Sequence, residues 1–249
     1  VGLEYFYQEI KEVVMKKFLA FTVLGIILLS INLFPQAAGL NLTLAIPSGE
    51  FKEKVDNLGF GLSGHILFLA PKPKSPFGIG LNLGYIVYGS ESRREPLSTT
   101  IPDVFVNVDR TNSLMNFHLL FTVGLPQGRI RPYLEGLFGG SYIYTTTSVK
   151  SQGSGEEFAS SVNFDDWAWS YGGGGGLTIL LSGDPNTDQN TIYLDLKGRY
   201  LFGSEAEYLK QGSVSVENGK VFYDISRSKT DLITIHAGVL IYFSWTPQE

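Results

Sequence analysis

The chain has 249 residues, 17% of them charged, with a net charge of −5 and no cysteine. Without thiols, thiolate catalysis, Cys-ligated zinc, disulfides and a lipidated N-terminal cysteine are excluded. The acidic balance, with no Lys/Arg cluster to reverse it, argues against a nucleic-acid binder.

Residues 1–14 precede Met15. Lys11-Glu12-Val13 can be encoded by a strong ribosome-binding sequence, so this stretch reads as untranslated, with Met15 the start. A short disordered extension is the other reading. Residues 15–38 carry the basic pair Lys16-Lys17, an apolar run Phe18–Phe34, and small Ala37 and Ala38 after Pro35. That is the anatomy of a signal peptide, expected as a helix. A retained anchor competes with it, although ~17–18 apolar residues are at the short limit for a span.

Residues 39–249 read as one domain of eight strands with alternating apolar and polar residues. They are Leu40–Ile46, Leu58–Leu69, Phe77–Gly89, Val104–Gly124, Pro132–Val149, Trp167–Leu181, Thr191–Gly203 and Leu232–Trp245. The gaps alternate long and short, from PSGEFKEKVDN and PKPKSP onward. Short turns on one side and long loops on the other are the habit of an up-and-down membrane barrel. The clearest strand is TIYLDLKGRYLF. Ile192, Leu194, Leu196, Tyr200 and Phe202 share one face, and Tyr193, Asp195, Lys197 and Arg199 the other.

Alternation alone does not say which face is inside. A soluble barrel hides its apolar face, whereas a membrane barrel shows it to lipid. The polar face here is poor in charge, which suits a lumen better than a soluble surface. Outward aromatics also gather at strand ends. Tyr85, Tyr142, Tyr144, Trp167, Trp169, Tyr171 and Tyr200 lie toward the long-loop side as lipid-interface residues. Phe68, Phe77, Phe121, Phe243 and Trp245 lie toward the short turns. Paired aromatic girdles mark the edges of a lipid belt. The membrane reading is the one adopted.

An eight-stranded barrel has an interior just wide enough for side chains. Glu135, Asp195, Lys197 and Arg199 point into it and must pair, because an isolated buried charge is very costly. His65, His118 and His236 share the inward parity. They are expected as hydrogen-bonded members of the same polar network, a metal site being the competing reading. The network is expected to close the lumen; a narrow channel for small solutes is the alternative.

GFGLSG has dinucleotide-binding spacing, yet HILFLAP continues it as strand, so no helix N-terminus meets a phosphate. Gly172–Gly176 lacks a following Lys-Ser/Thr; such glycines make room within a strand, expected here for lumen aromatics such as Tyr193. No G-x-S-x-G signature occurs. No cofactor and no enzyme activity are expected, a lipid-modifying enzyme being the minor alternative. Loop charges such as Glu91, Arg93, Arg94, Glu95, Glu156, Glu157, Asp165 and Asp166 read as solvated tips that could meet lipopolysaccharide or divalent ions.

Residues 40–245 resemble the small outer-membrane β-barrels of OmpA/OmpX type in architecture. The segments YGSESRREPLSTTIPD, NFDDWAWSYGGG and GSEAEYLKQGS resemble blocks in an uncharacterised outer-membrane β-barrel family of Gram-negative bacteria. The resemblance implies export to the outer membrane, contact with its lipids and lipopolysaccharide, and handling by the barrel-assembly machinery. It implies a monomer whose long loops serve the envelope or a surface contact. The aromatic that the assembly machinery reads would be internal here, Phe243 or Trp245, because Thr246–Glu249 follow.

Overall fold

The structure is a computed structural model that describes residues 35–98, 101–151, 157–186, 190–217 and 220–243. The expectations for residues 1–34 and for Trp245 lie outside the described residues. Eight strands close a barrel: β1 (Ala37–Pro47), β2 (Gly59–Leu69), β3 (Phe77–Ser98), β4 (Ile101–Gly124), β5 (Ile130–Ser151), β6 (Glu157–Ser182), β7 (Thr191–Gly203) and β12 (Leu232–Tyr242). All neighbours are antiparallel and consecutive around the wall. β1 pairs β12 from Ala37↔Tyr242 to Pro47↔Leu232, which leaves the barrel without an open edge.

The alternation expected on β7 is present along its whole length, inward residues buried and outward ones more exposed. The wall is inside-out relative to a soluble barrel. Leu42, Phe60, Leu134 and Phe138 are more than half exposed, while Asn41, Ser63, Asn82, Asn116 and Thr178 are buried. β1 begins three residues before the expected Leu40. It takes in Ala37 and Ala38, which the sequence reading puts at the end of the leader, because alanines carry no period-two signal. Gln36 continues the pairing, donating to Leu67 O at 2.8 Å and accepting from Phe243 N at 2.8 Å.

The largest correction concerns the long gaps. Residues expected as loops, 90–103 and 150–166, are mostly strand. β3 and β4 have 22 and 24 residues, β5 and β6 have 22 and 26. About 9–11 residues suffice to cross a bilayer, so these hairpins run far past the wall. β2 leaves β3 at Phe60↔Val87, and β7 leaves β6 at Ser170↔Gly203. Above those points β3–β4–β5–β6 run on beyond the wall as a four-stranded sheet. Low on it Tyr88, Asn112 and Thr145 are still buried, but further out Ser90, Ser92, Arg93 and Arg94 are exposed, so no apolar period betrays the extension. The gap after β7 is likewise not a plain loop. β8 (Glu205–Tyr208) pairs β11 (Ser226–Lys229), and β9 (Val214–Glu217) pairs β10 (Lys220–Tyr223). The first gap holds a short helix, α1 (Gly49–Lys54).

A polar lumen as the candidate functional site

The four inward charges resolve into two buried ion pairs. Arg199 clamps Glu135 with both arms, Nε to Oε1 at 2.6 Å and Nη2 to Oε2 at 3.0 Å, while Nη1 donates to Asn82 Oδ1 at 2.9 Å. Lys197 Nζ donates to Asp195 Oδ2 at 2.8 Å, and Tyr133 Oη donates to Asp195 Oδ1 at 2.5 Å. A bidentate Arg–carboxylate pair with its remaining donor satisfied is the arrangement that offsets the cost of burying both charges.

The glycine run makes these contacts possible. Glu135, Gly174 and Arg199 lie on one ladder row, with Gly174 of β6 between β5 and β7. A Cβ on Gly174 would collide with Gly198 O and stand 3.0 Å from Arg199 Cγ. One row along, Gly176 separates Tyr133 from Lys197, and its Cβ would stand 2.6 Å from Leu196 O and 2.7 Å from the Tyr133 hydroxyl. The room is therefore taken by Tyr133 and Arg199, not by Tyr193 as expected; Tyr193 lies further toward the short turns, between Leu180 and Leu240. Gly176→Val is expected to expel the Tyr133 ring, break its bond to Asp195, and cost about 1–3 kcal/mol, read as a lowered urea midpoint in lipid vesicles.

The three histidines are spread through the network. His65 Nδ1 lies 3.4 Å from Lys197 Nζ and 3.5 Å from Asn41 Nδ2. His236 sits among Thr43, Ser63 and Thr234 at 2.8–3.0 Å. His118 Nε2 meets Ser170 Oγ at 3.0 Å. Among the described residues no group of three or more His, Asp or Glu side chains could hold a metal ion.

Packed side chains stand at both ends of the lumen. At the short-turn end Arg131 is tethered to two turns, donating to Gly128 O at 3.2 Å and Pro185 O at 2.7 Å. Its guanidinium lies 4.6 Å over the Tyr193 ring and 5.6 Å from that of Tyr242. Between Arg131 and the ion pairs a cavity of about 40 Å3 remains, room for a few waters. At the hairpin end α1 lies across the opening. Phe51 is 1% exposed and meets Tyr208 and Tyr88 edge-on, at 5.1 and 5.8 Å between centroids. Tyr88 donates to Leu209 O at 3.2 Å, and Tyr208 bonds Ser228 Oγ at 2.7 Å. Glu91, ion-paired to Arg110 and Arg93, accepts from Gly212 N at 3.0 Å and ties the 205–214 segment to the hairpin sheet.

The outward aromatics fall where their parity puts them. Tyr85, Met115, Tyr142 and Trp167 share one ladder row on the outer wall. Tyr144, Trp169, Tyr171 and Tyr200 also face outward nearby, and Tyr171 stacks on Phe202 at 5.6 Å. Sequence reasoning missed Tyr133 and Arg131, although both share parity with Glu135. It also missed Phe51, whose only signal was a lone aromatic among charges.

No family model and no curated protein matches the sequence. By shape the chain is similar to the crystal structure of Neisserial surface protein A: 12% identity and a TM-score of 0.37, over 83% of this chain and 96% of the other. It is similar in the same degree to a major outer membrane protein from Thermus thermophilus, at 12% identity and a TM-score of 0.37, over 83% and 99% of the two chains. Likeness so remote lends this chain no ligand and no role.

Chemically, the charges of the lumen are taken up in pairs with each other. Ser63–His236 and Ser170–His118 are hydroxyl–imidazole contacts, but among the described hydrogen bonds neither ring is oriented by a carboxylate. The nucleophile–base–orienter chain of a hydrolase is incomplete there.

Proposed function

We propose that this chain is an exported outer-membrane β-barrel with a closed lumen, acting non-enzymatically in envelope structure or in surface contact through its long hairpins. The observation that carries the membrane assignment is the inverted wall: exposed outward rows of Leu, Ile and Phe around buried polar rows. Its natural surroundings are outer-membrane lipids and lipopolysaccharide, reached as a monomer by way of the barrel-assembly machinery. The paired charges, the Arg131 floor and the α1 lid favour closure over the channel reading.

Fractionation tests the first part. The protein is expected in the detergent-extracted outer-membrane fraction, migrating faster on gels before boiling than after. Recovery in the periplasm without detergent, with no shift on heating, would overturn it. Planar bilayers test the second part, with no unitary conductance above the lipid baseline expected. Steady single-channel steps would establish the channel instead.

A further inference from the structure

The outer wall over β1–β5 carries a dent. Gly64 on β2 faces outward between Leu40 of β1 and Leu83 of β3 in one ladder row. A groove of about 580 Å3 opens there, rimmed by Ile66, Leu83, Phe117 and Phe138. A second hollow of about 200 Å3 shares Gly64, Leu83 and Phe117 and runs on to Tyr85. The Tyr85 hydroxyl lies 3.1 Å from Ser113 Oγ. The two hollows form one furrow with apolar side-chain rims, and its far end is a polar pair in the row of outward aromatics.

We propose that this furrow seats one phospholipid acyl chain more tightly than the surrounding bilayer does, with the polar part of the lipid at the exposed Tyr85, whose hydroxyl the buried Ser113 holds in place. The proposal rests on the membrane reading above. Three features select the occupant. The outward side chains are hydrocarbon, while the lining residues His65, Asn82 and His118 are buried on the inward side, which fits a methylene chain rather than a ligand that needs hydrogen bonds. The main groove lies within the ~300–1,000 Å3 of small-molecule sites. Finally, 13 residues line it, whereas a stable contact between proteins takes about 20–30 residues a side. A second copy of the barrel would find too little to hold.

Gly64 permits a clean test, since a Cβ there would meet only Gly39 O at an ordinary 3.6 Å. Wild type, Gly64→Phe, Gly64→Leu and Gly136→Phe are purified in detergent, titrated with palmitoyl-oleoyl phosphatidylethanolamine, and read by native mass spectrometry. Gly136 is the control, the next outward position on β5 beyond the rim residue Phe138 but outside the furrow's lining, with nothing within 4 Å of a Cβ. Wild type and Gly136→Phe are expected to show a distinct single-lipid step. Gly64→Phe is expected to weaken it about tenfold, the loss of contact with roughly two methylenes, and Gly64→Leu to weaken it less. Equal retention by Gly64→Phe and wild type would overturn the furrow alone, as would lipid uptake without a single-occupancy step. A wild-type dimer lost in Gly64→Phe would give the groove to a second copy and overturn it too. A wild type soluble without detergent, seen before any lipid is added, would overturn the membrane reading and this proposal together.

Discussion

Arg199→Ala is expected to lower the unfolding free energy by about 3–5 kcal/mol, the usual cost of leaving the partner of a buried ion pair uncompensated. Glu135 would then have to hold an unpaired charge or take up a proton, at a site where its side chain is 1% exposed. Asn82 Oδ1 would lose its donor as well. Urea unfolding in lipid vesicles, followed by tryptophan fluorescence or by the gel shift, measures the loss. The informative comparison is the double variant Glu135→Leu/Arg199→Met, which removes both charges at similar volume. It is expected to recover most of the stability or exceed wild type, because apolar replacement of a whole buried pair is often neutral or favourable. A single variant within about 1 kcal/mol of wild type would mean that water reaches the pair, and the lumen would then not be closed at that level.

The second large effect is expected at the lid. Phe51→Ala removes the ring that Tyr88 and Tyr208 enclose, a truncation that costs about 3–5 kcal/mol in a packed core. Here the loss falls on a local unit. α1 is held by Phe51, by Ser48 N donating to Asp231 O at 3.0 Å, and by Glu50 accepting from Lys229 N at 3.2 Å. The strands of the wall do not depend on it. Hydrogen exchange is therefore expected to rise sharply in α1 and in residues 205–214, while β1–β7 and β12 keep wild-type protection. A uniform rise over the whole barrel would show instead that the lid is part of the global folding unit. Protection unchanged at α1 would show that Phe51 does not hold it.

What the sequence made legible, and what it hid, follows from where period two is visible. β7 alternates charge and hydrocarbon, so the parity of Asp195, Lys197 and Arg199 could be read directly. Their pairing could not, because Glu135 is 64 residues away and meets Arg199 only through the register of β5, β6 and β7. Gly174 was visible as part of a glycine run, but its purpose depends on which side chains flank it across two ladders. The hairpin extensions were hidden for the opposite reason. Ser90–Glu95 is polar at every position, and a strand with polar residues on both faces looks like a loop. Phe51 and Tyr208 are distant in sequence and meet only because the barrel brings the first and last long connections to one end.

The sheet beyond the wall also separates two electrostatic settings. Lys150, whose ammonium pairs with Asp109 at 2.8 Å, lies six residues beyond the outward aromatic Tyr144 on β5. At about 3.3 Å per residue and the tilt usual for such strands, that is roughly 15 Å of height. The Debye length at physiological ionic strength is about 8 Å. Charges at that height are thus screened from the headgroup layer and respond to the external medium. Charge changes near the hairpin tips should accordingly alter what the protein meets from outside while leaving its seating in the bilayer untouched.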